Sequence, residues 1–266
     1  MGRFPFPIPF GWFQVGYPED LKPGDVVPLR YFGRELVAWR DESGEAHVQD
    51  AYCPHLGAHL GYGGHVQGDW IVCPFHHWKF DGTGGCADVP YSDRINRRAR
   101  LRTYPVIERN GLTMVWYHPH DEPPKFEIPE IPELLGTDFV AHDRRSYLVR
   151  SVPQEMGENT VDPAHFAYVH GTDTVPEVES YETDGYTATM ITCQRFPTPQ
   201  GVVDGHIDIY SFGPGFGYTW FTGIVDTLLV NCTTPVDDDH TDVRFHFYVR
   251  KLGDERSTST DRKSVV

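Results

Sequence analysis

Residues 53–90 read CPHLGAHLGYGGHVQGDWIVCPFHHWKFDGTGGCADVP, and this stretch carries the strongest chemical signal in the sequence. Cys53 and His55 form a C-x-H pair; after seventeen further residues, Cys73 and His76 form a C-x-x-H pair. Two thiolates and two imidazoles suit either a tetrahedral zinc ion or a [2Fe–2S] cluster with two histidine ligands. The pairing favours iron, because each loop offers one sulfur and one imidazole, whereas a zinc knuckle usually pairs like ligands.

The same stretch, glycines included, resembles the cluster-binding segment of Rieske proteins. Rieske proteins of respiratory complexes carry an extra cysteine in each loop and a serine after the second histidine. This sequence has Ala58, Phe75 and Trp78 at those places, so the resemblance is to the Rieske domains of oxygenases and their ferredoxins. It implies a [2Fe–2S] cluster on the four ligands named above, with a reduction potential near the low end of the Rieske range, about −150 mV.

A second group of polar residues lies in ENTVDPAHFAYVHG, residues 158–171, which contains Asn159, Asp162, His165 and His170. Five residues along an unbroken helix correspond to about 500° of rotation, so a bend or an unwound turn must bring the two imidazoles together. Two histidines and one carboxylate are the ligands that hold ferrous iron for O₂ activation.

This second pattern resembles the mononuclear-iron motif of Rieske non-heme iron oxygenases. The resemblance implies that His165 and His170 bind iron and that O₂ is a co-substrate. It implies that Asp162 is a bridging carboxylate, hydrogen bonded to an iron ligand and to a cluster ligand, His76, of the neighbouring subunit in a head-to-tail homotrimer. Asn159 lines the iron pocket in part of the family. Capping of the following helix is a compatible alternative for Asp162.

The third iron ligand of the family is an aspartate on a late helix, downstream of the strand that here reads RFHFYVRK. Beyond that strand the aspartates are Asp254 and Asp261, and neither lies in an apolar helical pattern. We therefore expect the third ligand and the helix that covers the sheet to be missing: either the C-terminal part of the catalytic domain is absent from this sequence, or the chain cannot hold iron in the ordinary way.

The sequence predicts an α+β fold that is mostly β. Residues 1–118 are short β-type runs separated by turns, and we interpret them as a Rieske β-sandwich domain with an N-terminal arm. Residues 119–134 are rich in proline and acidic residues, as a strap or linker would be. Residues 135–266 form the non-heme iron catalytic domain, an antiparallel sheet with an early helix, and the resemblance implies a helix-grip (START-like) fold.

Within the catalytic domain, the best helical candidate extends from Gln154 to His170, with Pro163 just inside a second helical stretch that Asp162 caps. The run YTWFTGIVDTLLVNCTTPV, residues 218–236, is strand-like in its β-branched and aromatic content. We expect it to form a sheet with the strand-like runs SYLVRSV, YTATMITCQRF and GHIDIYSF before it and TDVRFHFYVRKL after it.

Charge and composition exclude several classes of function. With 23 Lys and Arg against 38 Asp and Glu, the net charge is −15, which argues against binding to nucleic acid or to anionic membranes. No apolar run approaches the roughly 18 residues that a membrane span needs, and the N-terminal prolines do not suit a signal peptide, so we expect a cytoplasmic protein. Five cysteines, an odd count, favour metal binding over a disulfide framework.

Several further runs resemble those of Rieske oxygenases that act on steroid nuclei, the 3-ketosteroid 9α-hydroxylases and the cholesterol 7-desaturases. They are GWFQVGYPEDL, CPFHHWKFDGTGGC, IPEIPEL and TPVDDDHTDVRFHFYVRK. The resemblance implies hydroxylation or desaturation of a hydrophobic, steroid-like substrate, with electrons passed from NAD(P)H through a ferredoxin or a flavin/iron–sulfur reductase. Eight apolar residues either wall a substrate cavity or form an ordinary sheet core: Phe196, Ile209, Tyr210, Phe212, Phe216, Trp220, Phe221 and Ile224.

Two alternatives stay open. The chain is either an oxygenase or a non-enzymatic Rieske electron-transfer protein whose second domain is degenerate. The basic run RINRRARLR, from Arg94 to Arg102, is either a docking surface for an acidic reductase or a solvated face.

Overall fold

The computed structural model describes residues 6–199 and 201–251. Eighteen strands and three short α-helices are found in this part of the chain, which confirms the expected α+β fold that is mostly β. None of the helices in the described ranges is long and apolar enough to cross a membrane.

The chain divides into two compact units. The first comprises Met1–Pro124 and Pro235–Asp238, and the second comprises Lys125–Thr234 and Asp239–Val266. The division therefore falls inside the proline-rich segment 119–134.

The first unit contains three sheets. A three-stranded sheet has the order β1-β11-β10, and two four-stranded sheets have the orders β2-β3-β4-β9 and β5-β6-β7-β8. The strands are β1 (Gly11–Gly16), β2 (Val26–Tyr31), β3 (Arg34–Arg40), β4 (Ala46–Asp50), β5 (His65–Gln67), β6 (Trp70–Val72), β7 (Lys79–Asp81), β8 (Cys86–Asp88), β9 (Thr103–Tyr104), β10 (Val106–Arg109) and β11 (Leu112–Tyr117).

Strand β3 lies at the centre of the first unit because both of its faces are buried. Side chains alternate between the faces of a strand, so Val37 and Trp39 enter one core while Leu36 and Ala38 enter another. The core on the Trp39 side also contains both cysteines of the first motif, together with Ile71, Trp78 and Phe80. The two motif loops are thus fixed on a closely packed base.

The second unit is built on one seven-stranded antiparallel sheet with the order β12-β18-β17-β16-β15-β14-β13. Its elements are α1 (Pro132–Leu135), β12 (Phe139–Val149), α2 (Pro153–Thr160), α3 (Ala164–Tyr168), β13 (Glu177–Thr183), β14 (Thr187–Thr198), β15 (Gly201–Phe212), β16 (Phe216–Phe221), β17 (Thr227–Pro235) and β18 (Thr241–Arg250). The predicted helix of residues 154–170 is divided into α2 and α3. The predicted run of residues 218–236 is divided into β16 and β17.

The register of this sheet shows which side chains share a face. In an antiparallel pair, directly opposite residues project from the same face. Ile209 lies opposite Met190, and Ile207 lies opposite Phe221. These four side chains cluster with Phe166 of α3, so we call this side of the sheet the α3 face.

Candidate metal centres

Two loops of the first unit have the same backbone turn. In the first, the amide of Gly57 donates to the carbonyl of Cys53 at 2.9 Å; in the second, the amide of His77 donates to the carbonyl of Cys73 at 3.1 Å. The donating residue has a positive φ in both loops, 77° for Gly57 and 57° for His77. Glycine takes this conformation at little cost, whereas His77 must be held in it by the surrounding packing. The shared turn brings both cysteines to the base of the site.

The cysteine thiols lie at that base, where water has little access. Cys53 and Cys73 are each 2% exposed, and both are free. The pKa of Cys53 is raised to about 11, mainly by burial and to a smaller extent by the adjacent Cys73, while the amides of His55 and Leu56 act against this by donating to its sulfur. Two buried sulfurs in contact, with backbone N–H groups directed at one of them, form a pocket suited to a soft metal that replaces their protons.

The imidazoles lie on the outer side of the same site. The rings of His55 and His76 are half-buried, with centroids 4.7 Å apart and planes inclined at 65°. Trp78 stacks flat against His55, with centroids 4.5 Å apart and an interplanar angle of 5°. The indole N–H of Trp78 donates to the hydroxyl oxygen of Tyr91 at 2.7 Å, and this fixes the orientation of the stacked pair.

The spread of these donor atoms decides between the two metals that the sequence left open. Donors on one tetrahedral zinc ion lie about 3.3–3.8 Å from one another. Within residues 6–199 and 201–251, one group of three or more ligating side chains has all its donor atoms within 4.8 Å of one another, and it consists of Asp41, Glu45 and His47. The four motif residues do not form such a group, so their donor atoms are spread more widely. A donor set with sulfurs inside, imidazoles outside and this wider spread fits a [2Fe–2S] cluster rather than a single zinc ion.

The compact group of Asp41, Glu45 and His47 has a structural explanation. The Asp41 carboxylate accepts hydrogen bonds from the Ser43 hydroxyl and the Glu45 amide, both at 2.8 Å, and lies 3.2 Å from Nε2 of His47. Burial alone would raise the pKa of Asp41, but the hydrogen bonds from Ser43 and His47 keep it lowered. These contacts shape the turn between β3 and β4.

The second motif lies where the predicted helix is interrupted. Helix α2 ends at Thr160, and α3 begins at Ala164 after Pro163, whose ring cannot continue the hydrogen bonding of a helix. The chain leaves α3 after Tyr168, and Gly171 has a φ of 70°. Because the helix does not continue to His170, the five-residue spacing does not separate the rings: the centroids of His165 and His170 are 5.2 Å apart.

The protonation of His165 follows from its hydrogen bond. Nδ1 of His165 is bonded to the backbone carbonyl of Asp162, and a carbonyl can only accept. Nδ1 therefore carries the proton, and in the neutral ring Nε2 is left with the lone pair that binds a metal. Partial burial, with a smaller effect of His165, lowers the pKa of His170, which favours the neutral, metal-binding form of that ring as well.

The resemblance implies that, within one chain, the carboxylate of Asp162 is hydrogen bonded to an iron-ligating histidine. The structure shows a different contact. Oδ1 of Asp162 accepts a hydrogen bond from the amide of Ala164 at 2.9 Å, so the side chain caps the start of α3, while the backbone carbonyl contacts His165. Both Asp162 and Asn159 are exposed, the latter in the last turn of α2.

The described residues do not complete a three-ligand iron site. No acidic side chain among them joins His165 and His170 in a group of donors within 4.8 Å of one another. Asp254 and Asp261 lie outside the described residues.

Phe166 attaches α3 to the sheet. It is 8% exposed and packs against Met190, Ile207 and Ile209 on the α3 face. The rings of His165 and His170 lie beside this ring, with centroids 4.2 Å and 5.8 Å from it, whereas Tyr168 on the same helix is exposed. The position of the two histidines therefore depends on one buried aromatic ring.

We predict that Phe166→Ala lowers the free energy of unfolding by about 3 kcal/mol, because the variant loses buried apolar area and leaves a cavity under α3. Urea unfolding measures the change. Tyr168→Ala is the matched control: this ring lies on the same helix but is 85% exposed, so its loss is expected to stay within about 0.5 kcal/mol. Equal losses in the two variants would contradict the anchoring role of Phe166.

One set predicted from the sequence does not form a single cavity wall. Phe196, Ile209 and Phe221 belong to the cluster on the α3 face. Four others lie on the other face of the sheet: Tyr210, Phe212, Phe216 and Trp220. Side chains alternate between the two faces along β15 and β16, and the register pairs Phe212 with Phe216 and Asp208 with Trp220. Ile224 is exposed between β16 and β17. Of the two alternatives that the sequence left open, the register therefore excludes one cavity wall formed by all eight residues, and composition does not show the register.

The fold is also that of known enzymes. Dicamba monooxygenase bound to 3,6-dichlorosalicylic acid matches 96% of this chain and 82% of its own with a TM-score of 0.76, at 18% identity. At this identity the likeness establishes the fold alone.

Sequence comparison gives closer relatives. Cholesterol 7-desaturase of Xenopus laevis is 31% identical over 94% of this chain and 61% of its own length. The oxygenase component of 3-ketosteroid-9-alpha-monooxygenase of Rhodococcus rhodochrous is 31% identical over 91% of this chain and 65% of its own length. The chain thus spans somewhat less than two thirds of these two relatives.

Two domain families together account for almost the whole chain. Residues 11–105 match the Rieske [2Fe-2S] domain, which contains both loops of the first motif. Residues 115–265 match the 3-Ketosteroid 9alpha-hydroxylase C-terminal domain, which contains the two-histidine segment. The chain therefore belongs to the Rieske oxygenases, in the family that carries the 3-ketosteroid 9α-hydroxylase C-terminal domain.

Proposed function

We propose that this chain is the oxygenase component of a system that hydroxylates or desaturates a hydrophobic, steroid-like substrate with O₂. Its electrons come from NAD(P)H through a ferredoxin or a flavin/iron–sulfur reductase. The observation that carries the proposal is the presence of two different donor sets in one chain, one of thiols and imidazoles and one of paired imidazoles. The names of the relatives, a 3-ketosteroid monooxygenase and a cholesterol desaturase, support the substrate class.

The first donor set would hold the cluster through Cys53, Cys73, His55 and His76. The second would hold iron through Nε2 of His165 and through His170. When bound, the cluster supplies one-electron transfer and the iron supplies O₂ activation. The neighbouring residues set the orientation and the protonation of the ligand side chains. Trp78 orients His55, and the carbonyl of Asp162 keeps the proton of His165 on Nδ1.

The α3 face supplies the apolar contacts for the substrate. Phe196 and Phe221 are partly buried beside Phe166, the residue that follows His165. Aromatic side chains beside the metal ligands suit a flat apolar molecule and exclude water from it.

The exposed carboxylate of Asp162 supports a head-to-tail trimer. Its Oδ1 is engaged by one helix amide, and the side chain remains open to solvent next to His165. In the trimer this carboxylate hydrogen bonds the cluster ligand His76 of the partner subunit. Light scattering is expected to give the mass of three chains, and a monomer in solution would contradict this arrangement.

The test is turnover by the purified chain with a reductase, NADH and either a 3-ketosteroid or cholesterol under ¹⁸O₂. Hydroxylation is expected to place one ¹⁸O atom in the product, whereas desaturation would remove two hydrogens and leave no label. Dicamba serves as the control substrate and is expected to give no product. A cluster that is reduced by the reductase without substrate-dependent O₂ uptake would instead identify an electron carrier.

A further inference from the structure

The cluster ligand His55 is connected to the protein surface by two aromatic side chains. Its ring stacks on Trp78, which is 9% exposed, and the indole N–H of Trp78 is hydrogen bonded to Tyr91. Tyr91 itself is 61% exposed. A continuous series of packed or hydrogen-bonded groups therefore leads from the metal ligand to solvent.

Tyr91 begins the most basic exposed segment beside the cluster. Residues 91–98 are all exposed, and Arg94, Arg97 and Arg98 lie in this segment, with Arg100 two residues further on. Four arginines and one acidic residue, Asp93, give residues 91–100 a net charge of +3 on a chain whose net charge is −15.

These arginines are not neutralised by the part of the chain that the structure describes. The ion pairs found within residues 6–199 and 201–251 include none to Arg94, Arg97, Arg98 or Arg100. Arg100 donates a hydrogen bond to the carbonyl of Thr83, which leaves its positive charge in place. Lys79, which follows Trp78 in the sequence, differs in this respect, because its Nζ lies 3.0 Å from the Asp88 carboxylate.

From this juxtaposition we propose that residues 91–100, which we call the arginine loop, dock an acidic one-electron donor protein, with Tyr91 in the contact. The inference rests on the proposed function, since it identifies where that system receives its electrons. The donor loses one electron and the cluster gains one, while Tyr91 and Trp78 lie between them and keep their own oxidation state. No other atom or proton is transferred.

Charge explains why this surface is selected. The rest of the chain carries an excess of carboxylates and repels an acidic protein, so long-range steering concentrates the donor at the arginine loop. The tips of the two motif loops offer apolar contacts instead: Leu56 follows His55 in one loop and Phe75 precedes His76 in the other, and they are 64% and 61% exposed. An acidic partner gains charge complementarity at the arginine loop and none at those tips.

The experiment uses the full chain with its cluster and, as the donor, a chemically reduced plant-type [2Fe–2S] ferredoxin, which is acidic and low enough in potential to reduce a Rieske centre. Stopped-flow absorbance gives the rate of cluster reduction. For Arg97→Glu with Arg98→Glu, the second-order rate is expected to fall about tenfold or more at low ionic strength, with a weaker salt dependence. Reduction by dithionite and the Rieske EPR signal are expected to be unchanged.

The matched control reverses two exposed arginines of the second unit, Arg150→Glu with Arg195→Glu, and alters the net charge by the same amount. Its rate is expected to stay within about twofold of the parent. Equal rates for the arginine-loop variant and the parent, or equal losses in both double variants, would overturn the proposal.

Two further variants separate the effect of charge from that of the aromatic ring. Arg97→Gln with Arg98→Gln removes the charges without adding acids, and a smaller fall of about threefold is expected. Tyr91→Ala is expected to weaken ferredoxin binding about fivefold or more, as truncation of a central interface tyrosine does; unchanged binding would remove Tyr91 from the contact and overturn that part. A parent chain that no donor reduces would refute the proposed function instead.

Discussion

Replacing Cys73 by serine is expected to remove the [2Fe–2S] cluster from the protein. The thiol is 2% exposed, in the same core as Trp39 and Ile71, and its sulfur faces that of Cys53. A serine hydroxyl is a poor ligand for iron and leaves the buried position without a sulfur donor. We expect cluster content to fall at least tenfold, with loss of the brown colour and of the Rieske EPR signal.

The control for this variant is Cys86→Ser. Cys86 is a half-buried cysteine of the same unit that packs at the edge of the same core, and its thiol is directed at the carbonyl of Asp88. Its replacement is expected to leave iron and sulfide content unchanged. A Cys73→Ser protein that keeps its EPR signal, or a Cys86→Ser protein that loses it, would show that the cluster ligands have been assigned wrongly.

Replacing His165 by alanine is expected to remove the mononuclear iron and leave the Rieske cluster in place. The substitution deletes the imidazole whose Nδ1 is held by the carbonyl of Asp162 and whose Nε2 is free for a metal. We expect one iron fewer per chain, an unchanged Rieske EPR signal, and product formation at least tenfold lower. Phe166 still packs on the α3 face, so the unit is expected to stay folded.

His142→Ala is the control for that variant. His142 is a half-buried histidine on β12, at the opposite edge of the sheet from β13 and β14. Iron content and turnover are expected to match the parent chain. Retention of all the iron by His165→Ala, or loss of the cluster signal together with the iron, would rule out a separate site at His165.

The features of the site that depend on local spacing could be predicted from the sequence. The C-x-H and C-x-x-H loops each return on themselves through one turn, so a spacing of a few residues predicts which side chains meet. The interruption of the helix before His165 was also predictable, because Pro163 cannot continue it. Mostly β structure followed from the frequent glycines, prolines and alternating β-branched residues.

Features that depend on register or on distant pairs could not be predicted in this way. Trp78 and Tyr91 are thirteen residues apart in an irregular segment, and no pattern indicates that they share a hydrogen bond. Strand β13 has every residue exposed at the edge of its sheet, so it lacks the alternation that predicts a strand. The run of residues 218–236 contains a turn at Gly223, where φ is 114°. The residues on both sides of this turn are as rich in apolar and β-branched types as those of one continuous strand, so the sequence pattern does not indicate the turn.

The central claim is that one chain holds both a [2Fe–2S] cluster and a separate iron. Iron and acid-labile sulfide per chain, determined on anaerobically purified protein, test it most directly. We predict three irons and two sulfides, two of the irons in the cluster and the third at His165 and His170. Two irons with two sulfides would contradict the second site, and zinc without sulfide would contradict the cluster itself.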